Sequence, residues 1–201
     1  MTQQIQIQNQ IGPYTYKEYK KLPEDGHRYE LHDGYIYMMA NPTRKHQDIQ
    51  DEVLRQFANY LEGKSCKAQT NRDVRLFCED DESDYVTYVP DIFVLCDQSK
   101  DRETYIKGAP DIVIEILSKS TKKMDLGNKK IDYQESGVRE YWVIKDIREV
   151  HQFVLNSKGA YDEEIYTPFD NNDIKIPVRI WDGRLTVKIG QFVHEMGNEN
   201  P

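Results

Sequence analysis

From Lys45 to Leu61 the apolar residues Ile49, Val53, Leu54, Phe57, Ala58 and Leu61 recur three and four apart. That spacing is one face of a helix, and Gly63 stands where a C-terminal cap belongs. Tyr14 to Leu22 predicts a shorter helix, with Thr15 as its cap and Pro23 as its stop. Between the two, Arg28-Tyr-Glu-Leu-His32 and Tyr35-Ile-Tyr-Met-Met-Ala40 flank Asp33-Gly34, the pattern of a β-hairpin. Strands are expected at Val74 to Phe77 and Tyr88 to Cys96, on either side of the acidic loop Glu79 to Asp84. Asp111 to Leu117 and Glu140 to Ile144 are near-continuous apolar runs, the mark of strands covered on both faces. A polar helix over Lys122 to Ser136, closed by Gly137, separates them. Hairpin-like runs at Glu149 to Leu155 and Tyr161 to Thr167 precede a strand-rich tail from Lys175 to Phe192. No repeat or linker divides the chain. The expectation is one α/β domain over residues 13–195, between flexible tails at 1–12 and 196–201.

Composition narrows the class. The 201 residues carry 27 basic and 35 acidic side chains, a net charge of −8, and 38 % are hydrophobic. That is ordinary globular usage, with no apolar run long enough to span a bilayer and a start too polar for a signal peptide. The acidic balance argues mildly against a protein that coats nucleic acid, although a basic patch can sit within an acidic shell. Cys66, Cys78 and Cys96 are odd in number and widely spaced. They suggest neither a disulfide framework nor a zinc cluster, which favours a reducing, cytoplasmic setting.

The informative oddity is Glu115, a carboxylate in the middle of an apolar strand. Such a charge is buried only when it is paired or holds a metal, and a salt bridge to a neighbouring strand answers as well as an ion does. Asp91 opens another apolar strand 24 residues earlier, so two adjacent strands can bring both acids to one point. Two hard oxygen ligands on rigid strands suit Mg²⁺, which takes one or two carboxylates and keeps several waters. Asp111 shares a face with Glu115 but lies roughly 13 Å along an extended strand, which makes it a strand-entry residue and no co-ligand. Glu30 stands mid-strand, where propensity disfavours it; a solvent-facing acid is its plainer reading. Lys129 and Lys130 follow on a helix, where a solvated face is the ordinary expectation. His46 opens the amphipathic helix, placed to bind phosphate or merely to decorate the terminus. Gly-rich phosphate loops and nucleophile elbows are absent.

In order and spacing, several segments together resemble a known family. They are Tyr29-Glu-Leu-His-Asp-Gly34, His46-Gln47, Val89-Pro-Asp-Ile-Phe-Val94, Ala109 to Ser118, Lys129-Lys-Ile-Asp-Tyr133 and Gly137 to Ile144. The family is the Uma-two-like restriction endonucleases, a branch of the PD-(D/E)XK nuclease superfamily, and the likeness runs from about Tyr14 to Phe192. It implies a restriction-endonuclease-like fold, a central mixed β-sheet flanked by helices. It implies a Mg²⁺-dependent (or Mn²⁺-dependent) endonuclease acting on DNA, working as a homodimer on palindromic duplex sites. Asp91 takes the place of the Pro-Asp acid, Glu115 that of the (D/E)XK acid, and Glu30 that of the acid in the early hairpin. A main-chain carbonyl near Ile116 joins the ligands. The chain departs from the superfamily pattern at Leu117, where the motif has Lys. The lysine has moved to the following helix, which points to Lys129, with Lys119 and Lys122 as rivals; Lys119, Lys122 and Lys130 also lie in the most basic stretch of the chain. A non-catalytic nucleic-acid-binding or regulatory module on the same fold is the alternative, and a glycosidase built on paired carboxylates ranks below both.

Overall fold

A computed structural model describes residues 5–6, 12–117, 126–146, 149–168 and 174–190. The two tails expected from the sequence lie almost wholly outside these residues, as does the segment holding Lys119 and Lys122. In chain order the elements begin with β1 (Ile5–Gln6), α1 (Tyr16–Tyr19), β2 (Arg28–His32), β3 (Tyr35–Met39) and α2 (Arg44–Leu61). Next come β4 (Lys67–Gln69), β5 (Asp73–Arg75), β6 (Ile92–Leu95), β7 (Tyr105–Lys107) and β8 (Ile112–Ile116). The rest are α3 (Asn128–Ser136), β9 (Glu140–Asp146), β10 (Glu149–Leu155), β11 (Tyr161–Tyr166), β12 (Ile174–Pro177) and β13 (Thr186–Ile189).

The centre is a six-stranded mixed sheet in the order β11-β10-β9-β8-β6-β4. Only β8 and β9 run parallel, and α3 makes the crossover that a parallel pair requires. Alternate side chains divide between two cores. Ile92, Val94, Ile112, Ile114, Trp142 and Ile144 face α2 and the β12–β13 hairpin, against Val53, Phe57 and Val187. Phe93, Leu95, Val113, Tyr141 and Val143 face the other way, where Tyr133 of α3 and Val74 and Ile106 of the β5–β7 pair cover them. A separate sheet, β1-β3-β2, holds the early hairpin, and Leu31 and Ile36 pack on Tyr16 and Tyr19.

Local signals account for the boundaries. Thr43 accepts a hydrogen bond from the His46 N–H (3.3 Å) and starts α2, while Gly63 lies past its end at φ +73°. Gly137 adopts φ +90°, and the Val138 N–H reaches the Tyr133 carbonyl at 2.9 Å, closing α3. The hairpin turn places Asp33 at φ +46° and Gly34 at +78°, the Asp-Gly geometry a two-residue connection needs. The described part of the polar helix expected from Lys122 is α3, from Asn128. Asp111 enters its strand as anticipated: its carboxylate accepts the Cys96 N–H at 2.8 Å.

One expectation is overturned. Cys66 and Cys96, 30 residues apart, form a disulfide, and only Cys78 is free. Antiparallel pairing of β4 with β6 sets Lys67 opposite Leu95, which brings the flanking cysteines face to face. The cysteine argument for a reducing compartment therefore fails. Among the described residues no helix is long and apolar enough to cross a membrane.

Candidate active site

The antiparallel register of β6 and β8 pairs Ile92 with Ile114, so Asp91, one residue outside β6, falls beside Glu115. The Asp91 N–H lies 3.4 Å from Glu115 Oε2, and Asp91 Oδ2 accepts the Ile116 N–H at 2.8 Å. Glu115 has the parity of Val113, so its side chain projects to the α3 side of the sheet. There Oε1 accepts from Lys129 Nζ (3.1 Å) and from the Tyr133 hydroxyl (2.9 Å). Lys129 also donates to Glu30 Oε1 at 2.9 Å, and the same oxygen accepts the Val89 N–H at 2.9 Å. The ammonium stands 5.1 Å from the centre of the Tyr88 ring. Glu30 of β2, Asp91 just before β6, Glu115 of β8 and Lys129 of α3 thus form one connected group. All are buried, with Glu30 at 0 % and Lys129 at 2 % exposure.

Burial corrects the plainer readings of two residues. Glu30 is no solvent-facing acid and Lys129 no solvated helical lysine; each is the other's counter-ion. Burial alone would raise the Glu30 carboxyl, but the Lys129 charge and hydrogen bonds from His32 and Val89 outweigh it and hold it at about 2. The His32 Nε2–H donates to Glu30 Oε2 (2.8 Å), and burial pushes this imidazole down, so it stays neutral at pH 7. Burial, and then the Glu115 charge, push the Tyr133 hydroxyl well up, which keeps it a donor. The Tyr88 hydroxyl is raised in the same way by burial and by Asp132, its hydrogen-bond partner.

His46 is not at a bare helix terminus. Its Nε2 lies 3.0 Å from Asp91 Oδ2. Lys130 points elsewhere, with its ammonium 4.3 Å from the Phe153 ring. Lys119 and Lys122 lie outside the described residues. Sequence reasoning missed His32, Gln50, whose amide donates to the Asp91 carbonyl at 2.6 Å, and Tyr133. Tyr133 stands four residues after Lys129, and Gln50 four after His46, so helical spacing from an identified residue was the available signal.

Among the described residues no three His, Cys, Asp or Glu side chains converge as a ready metal cage. Two adjacent carboxylates of hard oxygen donors nevertheless match Mg²⁺, which fills its octahedron largely with water. The donor set fits that ion.

A central mixed sheet flanked by helices, with α3 in the crossover between its one parallel pair of strands, is the restriction-endonuclease-like fold. Residues 16–186 match the Uma2 family, described as "Putative restriction endonuclease", and the chain belongs to that family. A crystal structure titled as "a putative nuclease belonging to DUF820" from Anabaena variabilis superposes with a TM-score of 0.64 at 24 % identity. The superposition covers 83 % of this chain and 89 % of that one. An uncharacterized Synechocystis protein, slr1290, is 29 % identical over 163 residues, spanning 81 % of this chain and 77 % of its own.

Proposed function

We propose that the protein is a Mg²⁺-dependent endonuclease, also served by Mn²⁺, that hydrolyses phosphodiester bonds of DNA. The observation that carries this is the meeting of Asp91 and Glu115 across β6 and β8, with Lys129 bridging Glu115 to Glu30. In this reading Asp91, Glu115 and the Ile116 carbonyl hold the ion. When bound, it lowers the pKa of a coordinated water and offsets charge on the phosphate in the transition state. Lys129 orients the attacking water and stabilises the developing negative charge. Glu30 holds the lysine at that place. His32 and Tyr133 fix the carboxylates through Nε2 and the hydroxyl. Without an ion the acids would repel phosphate, and the ion would offset their charge locally within a chain of net charge −8. A twofold assembly would match a palindromic duplex target.

Nicking of supercoiled plasmid with Mn²⁺ tests the reading. Wild type should nick, and Asp91→Asn and Glu115→Gln should each lose the activity together with Mn²⁺ binding by calorimetry. Well-folded wild type that neither binds Mn²⁺ nor nicks plasmid at high protein concentration would leave a binding module on the same fold.

A further inference from the structure

Helix α2 packs its apolar stripe on the sheet, yet its first turns also present two polar side chains to Asp91. His46 and Gln50 are four residues apart and so share a face. The His46 ring reaches the Asp91 carboxylate at 3.0 Å, and the Gln50 amide reaches the Asp91 main-chain carbonyl at 2.6 Å. Gln50 is buried, an uncommon place for an amide unless it is bonded. The other ring nitrogen of His46, Nδ1, is buried with no partner among the described residues. Burying that nitrogen costs free energy, and the bond that offsets it is the one to Asp91.

Both side-chain bonds to Asp91, from His46 and from the Ile116 N–H, fall on Oδ2. The carboxylate is therefore held along one edge, and among the described residues Oδ1 accepts no hydrogen bond, which leaves it as the oxygen for a cation. Its backbone is held separately by Gln50. An aspartate at the mouth of a strand, free to rotate about χ1 and χ2, would lose several rotamers on binding an ion; one already fixed loses fewer.

We propose that His46 and Gln50 are positioning residues that fix Asp91 for a divalent cation, acting from α2 on the face of the sheet opposite Lys129. The proposal rests on the reading of Asp91 as a cation ligand, and its test separates the two. The first readout needs no metal: hydrogen exchange of the Ile116 amide, whose acceptor is Asp91 Oδ2. In His46→Ala the Ile116 amide should exchange about tenfold faster or more, while amides of β10 keep wild-type rates. Mn²⁺ affinity should fall about 10–100-fold, the usual cost of removing a residue that orients a ligand. His46→Gln, whose amide can donate from nearly the same place, should restore both. Gln50→Ala should weaken Mn²⁺ binding in the same direction. An Ile116 amide that exchanges at the wild-type rate in His46→Ala overturns the proposal, and so does Mn²⁺ affinity lost without any change at Ile116, which would make His46 itself a ligand. Wild type that takes up no Mn²⁺ sinks the nuclease reading instead, and the exchange rates then decide whether α2 fixes Asp91.

Discussion

Lys129→Met removes the cation that sits between two buried carboxylates, and its effect can be reached by two routes. Lys129 lies 2.9 Å from Glu30 and 3.1 Å from Glu115, and all three side chains are buried. Removing one partner of such a buried pair costs about 3–5 kcal/mol, because the remaining charge loses its counter-ion. The second route runs through the proton. Glu30 is held at about 2 against 4.5 for an ordinary glutamate, so it contributes about 3 kcal/mol to folding at neutral pH. That contribution belongs to burial, Lys129, His32 and Val89 together, so it fixes the direction of the effect of losing Lys129 and not its size. The contribution has a sign in pH: the folded carboxyl lies below its unfolded value, so it is fully present above pH 4.5 and drains away as pH falls toward 2. In the variant the cation is gone while burial remains, so the folded value rises. Protonation then relieves the buried charge, and the variant recovers stability relative to wild type as pH falls. Urea unfolding, followed by fluorescence of the buried Trp142, measures this at pH 7.5 and pH 5. The variant should be less stable by about 3–5 kcal/mol at pH 7.5, a large share of the roughly 5–15 kcal/mol that holds a domain together. The gap should narrow at pH 5, and Glu30→Gln in the same chain should narrow it at pH 7.5. A gap below about 1 kcal/mol, or one equal at both pH values, would refute the electrostatic account.

Two further predictions concern the frame around the site. Cys66→Ser should destabilise the protein by about 3–4 kcal/mol, the chain-entropy value for a cross-link over some thirty residues, and dithiothreitol should lower the melting temperature of wild type toward that of the variant. A wild-type melt indifferent to reductant contradicts the cross-link. Gly34→Ala should cost about 1–3 kcal/mol in urea, because φ is +78° and an added Cβ would stand 2.5 Å from that of Pro13; a melting temperature within a degree of wild type tells against it.

The parts of this architecture legible in the sequence are those written in local periodicity. The 3.6-residue stripe of α2, the Asp-Gly turn and the unbroken apolar runs of β8 and β9 each announce themselves within a dozen residues. Asp91 and Glu115 stood out because a carboxylate in an apolar strand violates its surroundings, and a separation of 24 residues allows antiparallel neighbours. The burial of Lys129 was not legible, since α3 has no apolar stripe and a lysine on such a helix reads as solvated. It is buried because Glu30 arrives from a different sheet, and strand order across two sheets is not a local property. The disulfide stayed hidden for the same reason: thirty residues separate the cysteines, and only the pairing of β4 with β6 joins them. A polar residue out of place in an apolar run therefore marks burial more surely than it marks function. Glu140 makes the point. It too is a fully buried acid in an apolar strand, pushed up by burial. Its partners are the Trp142 indole at 2.7 Å, the Gln152 amide at 2.5 Å and the Ile180 N–H at 3.0 Å, which tie the sheet to the chain after β12. Every one of those partners is a neutral donor, and no lysine or second acid stands among them. What separates Glu115 from Glu140 is thus the company each keeps: a carboxylate beside another carboxylate and an ammonium can exchange its partner for an ion, whereas one closed in by neutral donors is a structural anchor.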